Sequence, residues 1–239
     1  TITALGTSGD VRAAKVLADV VYEEVQPLDR RRAAMKAMGA IRQGALELQA
    51  LAEKGEYEEL LRETLAATLH TVQWKDLKEY ASKKFPLPPG KDAQPVPPIA
   101  ELATRSGDVT KGSVLFHSTA SCAQCHQVGS LGKNVGPNLS EIGKKLTKEA
   151  LYESILYPSA AISHNYESWL VVDQDGNQVT GLLVSDTAAS VEIRDAKGIN
   201  HTIPRANIDI LKKQDVSLMP ADLQKVLSVQ ELVDVVEYL

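Results

Sequence analysis

Cysteine is scarce in this chain: there are two in 239 residues, three positions apart. That scarcity excludes a disulfide framework, and the spacing suits a single attachment or metal site. Long apolar runs are missing as well. No stretch approaches the ~20 residues a membrane-spanning helix needs, so no membrane span is expected. Cationic surplus is also absent, with 26 Lys+Arg against 31 Asp+Glu. Residues 1–85 balance at 13 of each sign, whereas residues 86–239 hold 13 cations against 18 anions. An acidic second half argues against a nucleic-acid partner, because phosphate binding rests on clustered cations. No Ser/His/Asp arrangement, glycine-rich phosphate loop or paired carboxylates can be read from the chain, so no catalytic constellation is assigned. The chain begins at Thr1 without a visible secretory signal, as a processed protein or an excised piece would.

What is present divides at a proline-rich stretch. Residues 1–85 carry helical periodicity, with Val11, Ala14, Leu17, Ala18 and Val21 as one stripe and Ala45, Leu48, Leu51 and Ala52 as another. Breaks fall at Ser8-Gly9-Asp10, Pro27, Gly39, Gly44 and Gly55. The phrases "ITALGTSGDVRAAKVLADVV" and "RRRAAMKAMGAI" resemble HEAT-type helical repeats, and an opening "ITALG" resembles the tail of a preceding helix. An ordinary small helical bundle is the alternative. Six of the eleven prolines fall in residues 86–98, where a missing amide proton and a fixed φ predict an extended, semi-rigid linker and a domain boundary. Residues 99–239 are expected to form a second domain.

That second region begins with helices expected near 108–117, 140–145 and 147–157. From about 165 to 212 the pattern becomes short apolar bursts separated by Asp175-Gly176-Asn177, Asp186-Thr187 and Lys197-Gly198. Five short strands forming a small antiparallel barrel or sheet are predicted there. Helix returns at 228–239, with Leu232, Val235, Val236 and Leu239 on one face. The fold class is therefore mainly α with a β insertion.

The chemistry-bearing motif is "CAQCH", Cys122 to His126. Two thiols at i and i+3 can add across the two vinyl groups of one haem while the next residue offers an imidazole to its iron. A zinc site would need two further N or S ligands at suitable spacing. A thioredoxin-like redox pair would need a strand before the motif and a helix opening at its first cysteine. Chance occurrence of so short a motif is the third alternative.

Neighbouring phrases bear on the choice. "KGSVLF" before the motif, "GPNL" at Gly136–Leu139, "LMP" at Leu218–Pro220 and the terminal "ELVDVVEYL" together resemble class I c-type cytochromes. The resemblance implies covalent haem c on Cys122 and Cys125, with His126 as proximal ligand and Met219 as distal ligand. It also implies that the carbonyl of Pro137, after Gly136, orients the proximal imidazole. Met219 is the one methionine beyond the linker, since Met35 and Met38 precede it. His117, His164 and His201 are the rival sixth ligands; His201 shares a strand face with Ile199 and Ile203 and reads as a core histidine.

Met219 lies 93 positions after His126, more than a minimal cytochrome of this class requires, and the excess is the β segment. This order of motifs is similar to a haem-binding domain family known from large planctomycete and verrucomicrobial proteins. There the domain commonly ends a chain that carries helical repeats and a propeller-like dehydrogenase domain. The expected function is electron transfer by a module of a larger redox protein, with a partner protein or dehydrogenase domain exchanging the electron and periplasmic or other export. A haem enzyme or ligand sensor with an open sixth position is the alternative. Trp169 or Tyr166 facing a propionate, a homodimer through a strand edge, and calcium at Asp173, Asp175, Asn177 and Asp186 are further, weaker readings.

Overall fold

The computed structural model describes all 239 residues. Its ten α-helices are α1 (Ile2–Thr7), α2 (Val11–Tyr22), α3 (Leu28–Gly39), α4 (Arg42–Lys54), α5 (Glu59–Thr71), α6 (Lys75–Lys84), α7 (Ile99–Leu102), α8 (Val109–His117), α9 (Lys148–Leu156) and α10 (Val229–Tyr238). Seven strands accompany them: β1 (Gln127–Val128), β2 (Leu131–Gly132), β3 (Glu167–Asp173), β4 (Gln178–Asp186), β5 (Ser190–Asp195), β6 (Asn200–Pro204) and β7 (Ile208–Ser217). At 46% helix with one five-stranded sheet, the class is mainly α with a β insertion. The chain forms two compact units, one of residues 1–105 and 149–161, the other of residues 106–148 and 162–239.

The first unit is helical because its apolar residues recur at helical spacing between good stops. Asp10 caps α2 by accepting the amide of Arg12, and the helix buries Ala13, Ala14, Leu17, Ala18 and Val21 along one face. Gly55 ends α4 in the left-handed conformation, at φ 71°. Leu17, Met35, Met38, Leu48 and Leu65 are wholly buried in the shared core. Buried Arg31 is satisfied there too: Nε donates to the Val21 carbonyl at 2.8 Å and Nη1 to Glu58 at 2.7 Å.

Two features of this unit differ from the sequence reading. The proline stretch lies inside it and does not bridge two domains. Leu87 and Val96 are buried, Ile99 and Leu102 completely so, and a turn closes where the Gly90 amide donates to the Gln94 carbonyl. Proline prevents regular structure here, but apolar side chains at four positions hold the irregular backbone down. The second difference is that residues 149–161 join this unit, although sequence placed them within 99–239. Tyr157 packs on the apolar core, the Thr64 hydroxyl donates to the Ala160 carbonyl at 3.0 Å, and Lys36 pairs with Glu153. These contacts join positions about 90 to 120 residues apart, which no local pattern reports.

In the second unit α8 and α10 pack together, each with a polar cap. Asp108 accepts the amides of Thr110 and Lys111, and Ser228 with Glu231 forms a reciprocal capping box. The contact is close because Gly112 lacks a side chain: a Cβ there would stand 1.9 Å from the Asp234 carbonyl oxygen. Phe116, fully buried, meets Tyr238 at 5.6 Å between ring centroids.

All five expected insertion strands form, in the antiparallel order β6-β5-β4-β3-β7. Of the barrel or sheet expected, the barrel is corrected and an open sheet forms, with β6 and β7 as its edges. Closure would require β6 to pair with β7. Pro204 at the end of β6 has no amide to offer, and the 3-10 turn Arg205–Asn207 sends the chain to the free side of β3 instead. Val171, Val191 and Ile193 form the buried face, with Trp169, Val179, Leu183, Ile203, Ile208 and Leu211 packed on them.

Candidate functional site

The site is built by a short segment that follows α8. Ser121 takes a left-handed φ of 56°, which turns the chain into a single 3-10 turn, Cys122–Gln124. That turn is closed by the amides of Cys125 and His126, both donating to the Cys122 carbonyl, at 3.1 and 2.9 Å. Both thiols are thereby carried on one tight turn, and neither is in a disulfide. Burial pushes the Cys122 thiol up to about 11 and raises that of Cys125 less, the nearby Lys133 ammonium working against the rise.

The chain then folds back along the motif. β1 and β2 make a two-residue hairpin ladder, after which Lys133 donates its amide to Ala123 and the amides of Val135 and Gly136 donate to Cys125, at 3.0, 3.0 and 2.7 Å. This brings Gly136 and Pro137 against His126. A Cβ on Gly136 would lie 2.6 Å from His126 Cε1 and 2.8 Å from Nδ1, so only glycine lets the backbone lie beside the imidazole.

His126 Nδ1 stands 2.9 Å from the Pro137 carbonyl oxygen. A carbonyl can only accept, so Nδ1 carries the proton. Burial lowers the pKa of this ring below the ordinary histidine value, with the Pro137 hydrogen bond opposing, and the imidazole is neutral near pH 7. It follows that Nε2 keeps its lone pair and carries no proton. The ring is thus prepared as a one-sided nitrogen ligand whose orientation is set by the backbone.

The other sequence candidates fall in different places. Met219 is half-buried in the loop after β7, its amide donating to Ser217 Oγ at 3.1 Å. Close by in sequence, Gln224 is 1% exposed, and its Oε1 has no hydrogen-bond partner. His117 is exposed, bonded through Nδ1 to the Ser113 carbonyl at 2.8 Å and in edge contact with Phe116 and Tyr238. His164 is almost fully solvent-exposed, 3.6 Å from Glu167. His201 is no core histidine: Ile199 on its face is 54% exposed, and Nε2 meets Asp195 Oδ2 at 2.9 Å. Trp169 packs on the sheet's apolar face. Asp173 accepts from the amides of Asp175 and Asn177 and from the Asn177 side chain, the work of a turn former. No three His, Cys, Asp or Glu side chains converge as a metal site would require, which leaves the zinc alternative without ligands.

The donor set fits a covalent haem: two thiols on one turn, one oriented neutral imidazole and a glycine clearing the ring's edge. Comparison with known families agrees, for residues 109–168 match the model of the family described as Cytochrome c. Over those residues the chain is similar to a cytochrome c domain. The match takes in Cys122, Cys125, His126, Gly136 and Pro137 and ends before Met219. Cytochrome c domains of this kind bind haem c covalently and serve haem-based electron transfer. No curated protein matches the chain. No helix is long and apolar enough to cross a membrane. The feature that sequence reasoning missed around the cytochrome c-like motif is the β5–β6 hairpin, whose Ala196 carbonyl lies 3.9 Å from Cys125 Sγ. Nothing in residues 195–198 signals that contact, because it spans 71 positions.

Proposed function

We propose that the second unit is an electron-transfer module for one haem c, which thioethers from Cys122 and Cys125 would hold, with His126 and Met219 as the residues that would bind its iron. When bound, haem supplies a one-electron ferric/ferrous couple. The single observation that carries this reading is the fixed His126 tautomer, with Nδ1 on the Pro137 carbonyl and Nε2 unprotonated, in a segment whose two thiols are free. Pro137 accepts a hydrogen bond that makes the imidazole a better donor to metal, and Gly136 leaves room for the ring in that orientation. Met219 offers a soft thioether, which raises the potential relative to a second imidazole. The helical unit, with its HEAT-like phrases, belongs on this reading to a longer exported redox protein of the planctomycete and verrucomicrobial haem-domain type. A dehydrogenase domain or partner protein would exchange the electron, and residues 99–239 would include the domain that receives it.

The test is an optical spectrum of the purified protein, oxidised and reduced, with a pyridine haemochrome assay. A c-type haemochrome, a methionine-to-ferric-iron band and no carbon monoxide binding by the reduced form are expected. The methionine band should vanish in Met219→Ala. A reduced form that binds carbon monoxide would replace the carrier by a haem enzyme or sensor, and a protein that takes up no haem would end the proposal.

A further inference from the structure

The inserted sheet meets the segment around Cys122–His126 through the β5–β6 hairpin, where cations gather. The β5–β6 hairpin leans on residues 133–135: Arg194 Nη1 donates to the Asn134 carbonyl at 3.1 Å, Lys133 Nζ to the Lys197 carbonyl at 3.4 Å, and Gly198 lies against Val135. Between hairpin and segment is an open cleft of about 510 Å³ lined by Lys133, Asn134, Val135, Arg194, Lys197, Gly198 and Asn200. Its three cations stand in a region where acids outnumber bases, 18 to 13 over residues 86–239.

None of the three is neutralised. Arg194 Nε donates to Asn200 Oδ1 at 2.9 Å, so its hydrogen bonds, like that of Lys133, go to uncharged acceptors. Two carboxylates stand beside the cleft, and neither forms an ion pair with these cations. Glu192 accepts from Asn200 Nδ2, and Asp195 from His201 and the amides of Lys197 and Ile199. Arg194 is therefore a guanidinium held in place by β6 and by the loop at Asn134, with an edge left over for a carboxylate, and two lysines flank it.

Haem chemistry says what this cleft does not serve. The two thioether-forming vinyl carbons and the two propionates occupy opposite edges of the macrocycle. Cys125 lies against the hairpin, so a haem attached there would carry its vinyl-derived edge, rather than its propionates, toward these cations. The cleft is also a poor container for a small anion, because Lys133, Lys197, Asn134 and Asn200 are all exposed and only Val135 is buried. A carboxylate borne on another protein's surface suits such an open, cationic rim better.

We propose that the β insertion, through Arg194 and Lys197 with Lys133, provides the docking cleft for an acidic surface of the protein that exchanges electrons with the haem. This rests on the haem reading for its purpose, but the cleft and its charge do not depend on it. Steering by such a rim would bring the partner to the side of the domain where Cys125 would hold the haem.

The test uses the full-length, haem-loaded protein, isotope-labelled for NMR, with hexacyanochromate(III) as a redox-inert paramagnetic trianion. At low salt its broadening should concentrate on the amides of residues 133–135 and 194–200, and it should fade at about 200 mM salt. Poly-glutamate should displace the probe at carboxylate concentrations where acetate does not. The combined Lys133→Gln, Arg194→Gln, Lys197→Gln variant should weaken the broadening at least about fivefold. Lys197→Gln alone, whose ammonium makes no hydrogen bond, gives a smaller loss without risk to the fold. Broadening located elsewhere, or unchanged in both variants, would overturn the proposal. Equal displacement by acetate would assign the cleft to free small anions and overturn the protein-docking claim. A pyridine haemochrome assay on the same sample reports separately on haem, so failure of one reading is not mistaken for failure of the other.

Discussion

The helical unit and the haem-attachment segment are held together by different physics. In the first, residues such as Leu17, Met35, Met38, Leu48, Leu61 and Leu65 are essentially removed from solvent and interlock. In the segment from Ser121 to Thr147, Val135 is the one buried residue. That segment is shaped by backbone hydrogen bonds onto Cys122, Ala123, Cys125 and Gln127 and by glycines where chains approach. Apolar interlocking tolerates small adjustments in many places. A backbone-determined site tolerates few, because each hydrogen bond fixes one particular atom, such as His126 Nδ1 on the Pro137 carbonyl.

The sharpest way to break the comparison is to remove the covalent attachment. Cys122→Ser with Cys125→Ser should reduce the pyridine haemochrome signal to background. The helical unit should keep its far-ultraviolet circular dichroism and its own unfolding transition. A helical unit that collapses with the attachment would show that the two parts are not independently supported.

Next in size are paired packing changes read by denaturant unfolding of the full chain. Leu48→Ala removes a fully buried side chain and should cost the helical unit about 2–5 kcal/mol. Gly112→Ala forces a Cβ onto the Asp234 carbonyl and should cost the second unit about 1–3 kcal/mol. Each change should move one transition and spare the other. A shared shift would merge the units thermodynamically.

The smallest expected effect is a pH dependence of the helical unit. His70 is 1% exposed, donates through Nε2 to the Phe85 carbonyl at 2.9 Å, and has no partner for Nδ1. Burial lowers its pKa below the ordinary value, the Phe85 hydrogen bond opposing. The unfolded chain therefore binds this proton more readily than the folded one. The stability linked to His70 is complete above the unfolded value of about 6.5 and is lost as pH falls toward the folded pKa. The denaturant midpoint of the helical unit should fall on acidification from pH 8 to 5.5, and a His70→Gln variant should flatten that slope.

Much of this was legible in the sequence because it is local. Helical stripes in residues 11–84 needed only the spacing of Ala, Leu and Val, and the five strands needed only turn formers between β-branched bursts. The Cys122–His126 motif is local as well, since its two thiols and its imidazole fall within five residues. The Pro137 contact was expected from a family resemblance and could not have been counted from spacing; 11 positions of loop separate it from His126.

By itself, then, the sequence determined most of the helices, the five insertion strands, the Cys122–His126 motif and the acidic balance of the second half, all set by residues near one another in the chain. Only the tertiary structure decided that the proline stretch and residues 149–161 join the helical unit, through apolar side chains and the Thr64–Ala160 hydrogen bond. It also decided that the sheet stays open, because Pro204 cannot donate and β7 pairs with β3. The placing of Arg194 and Lys197 beside Lys133 belongs to it as well, because about 60 residues separate the groups that make that cleft. Spacing along a chain sets which local conformations are cheap, whereas contacts between distant residues depend on where the whole backbone returns.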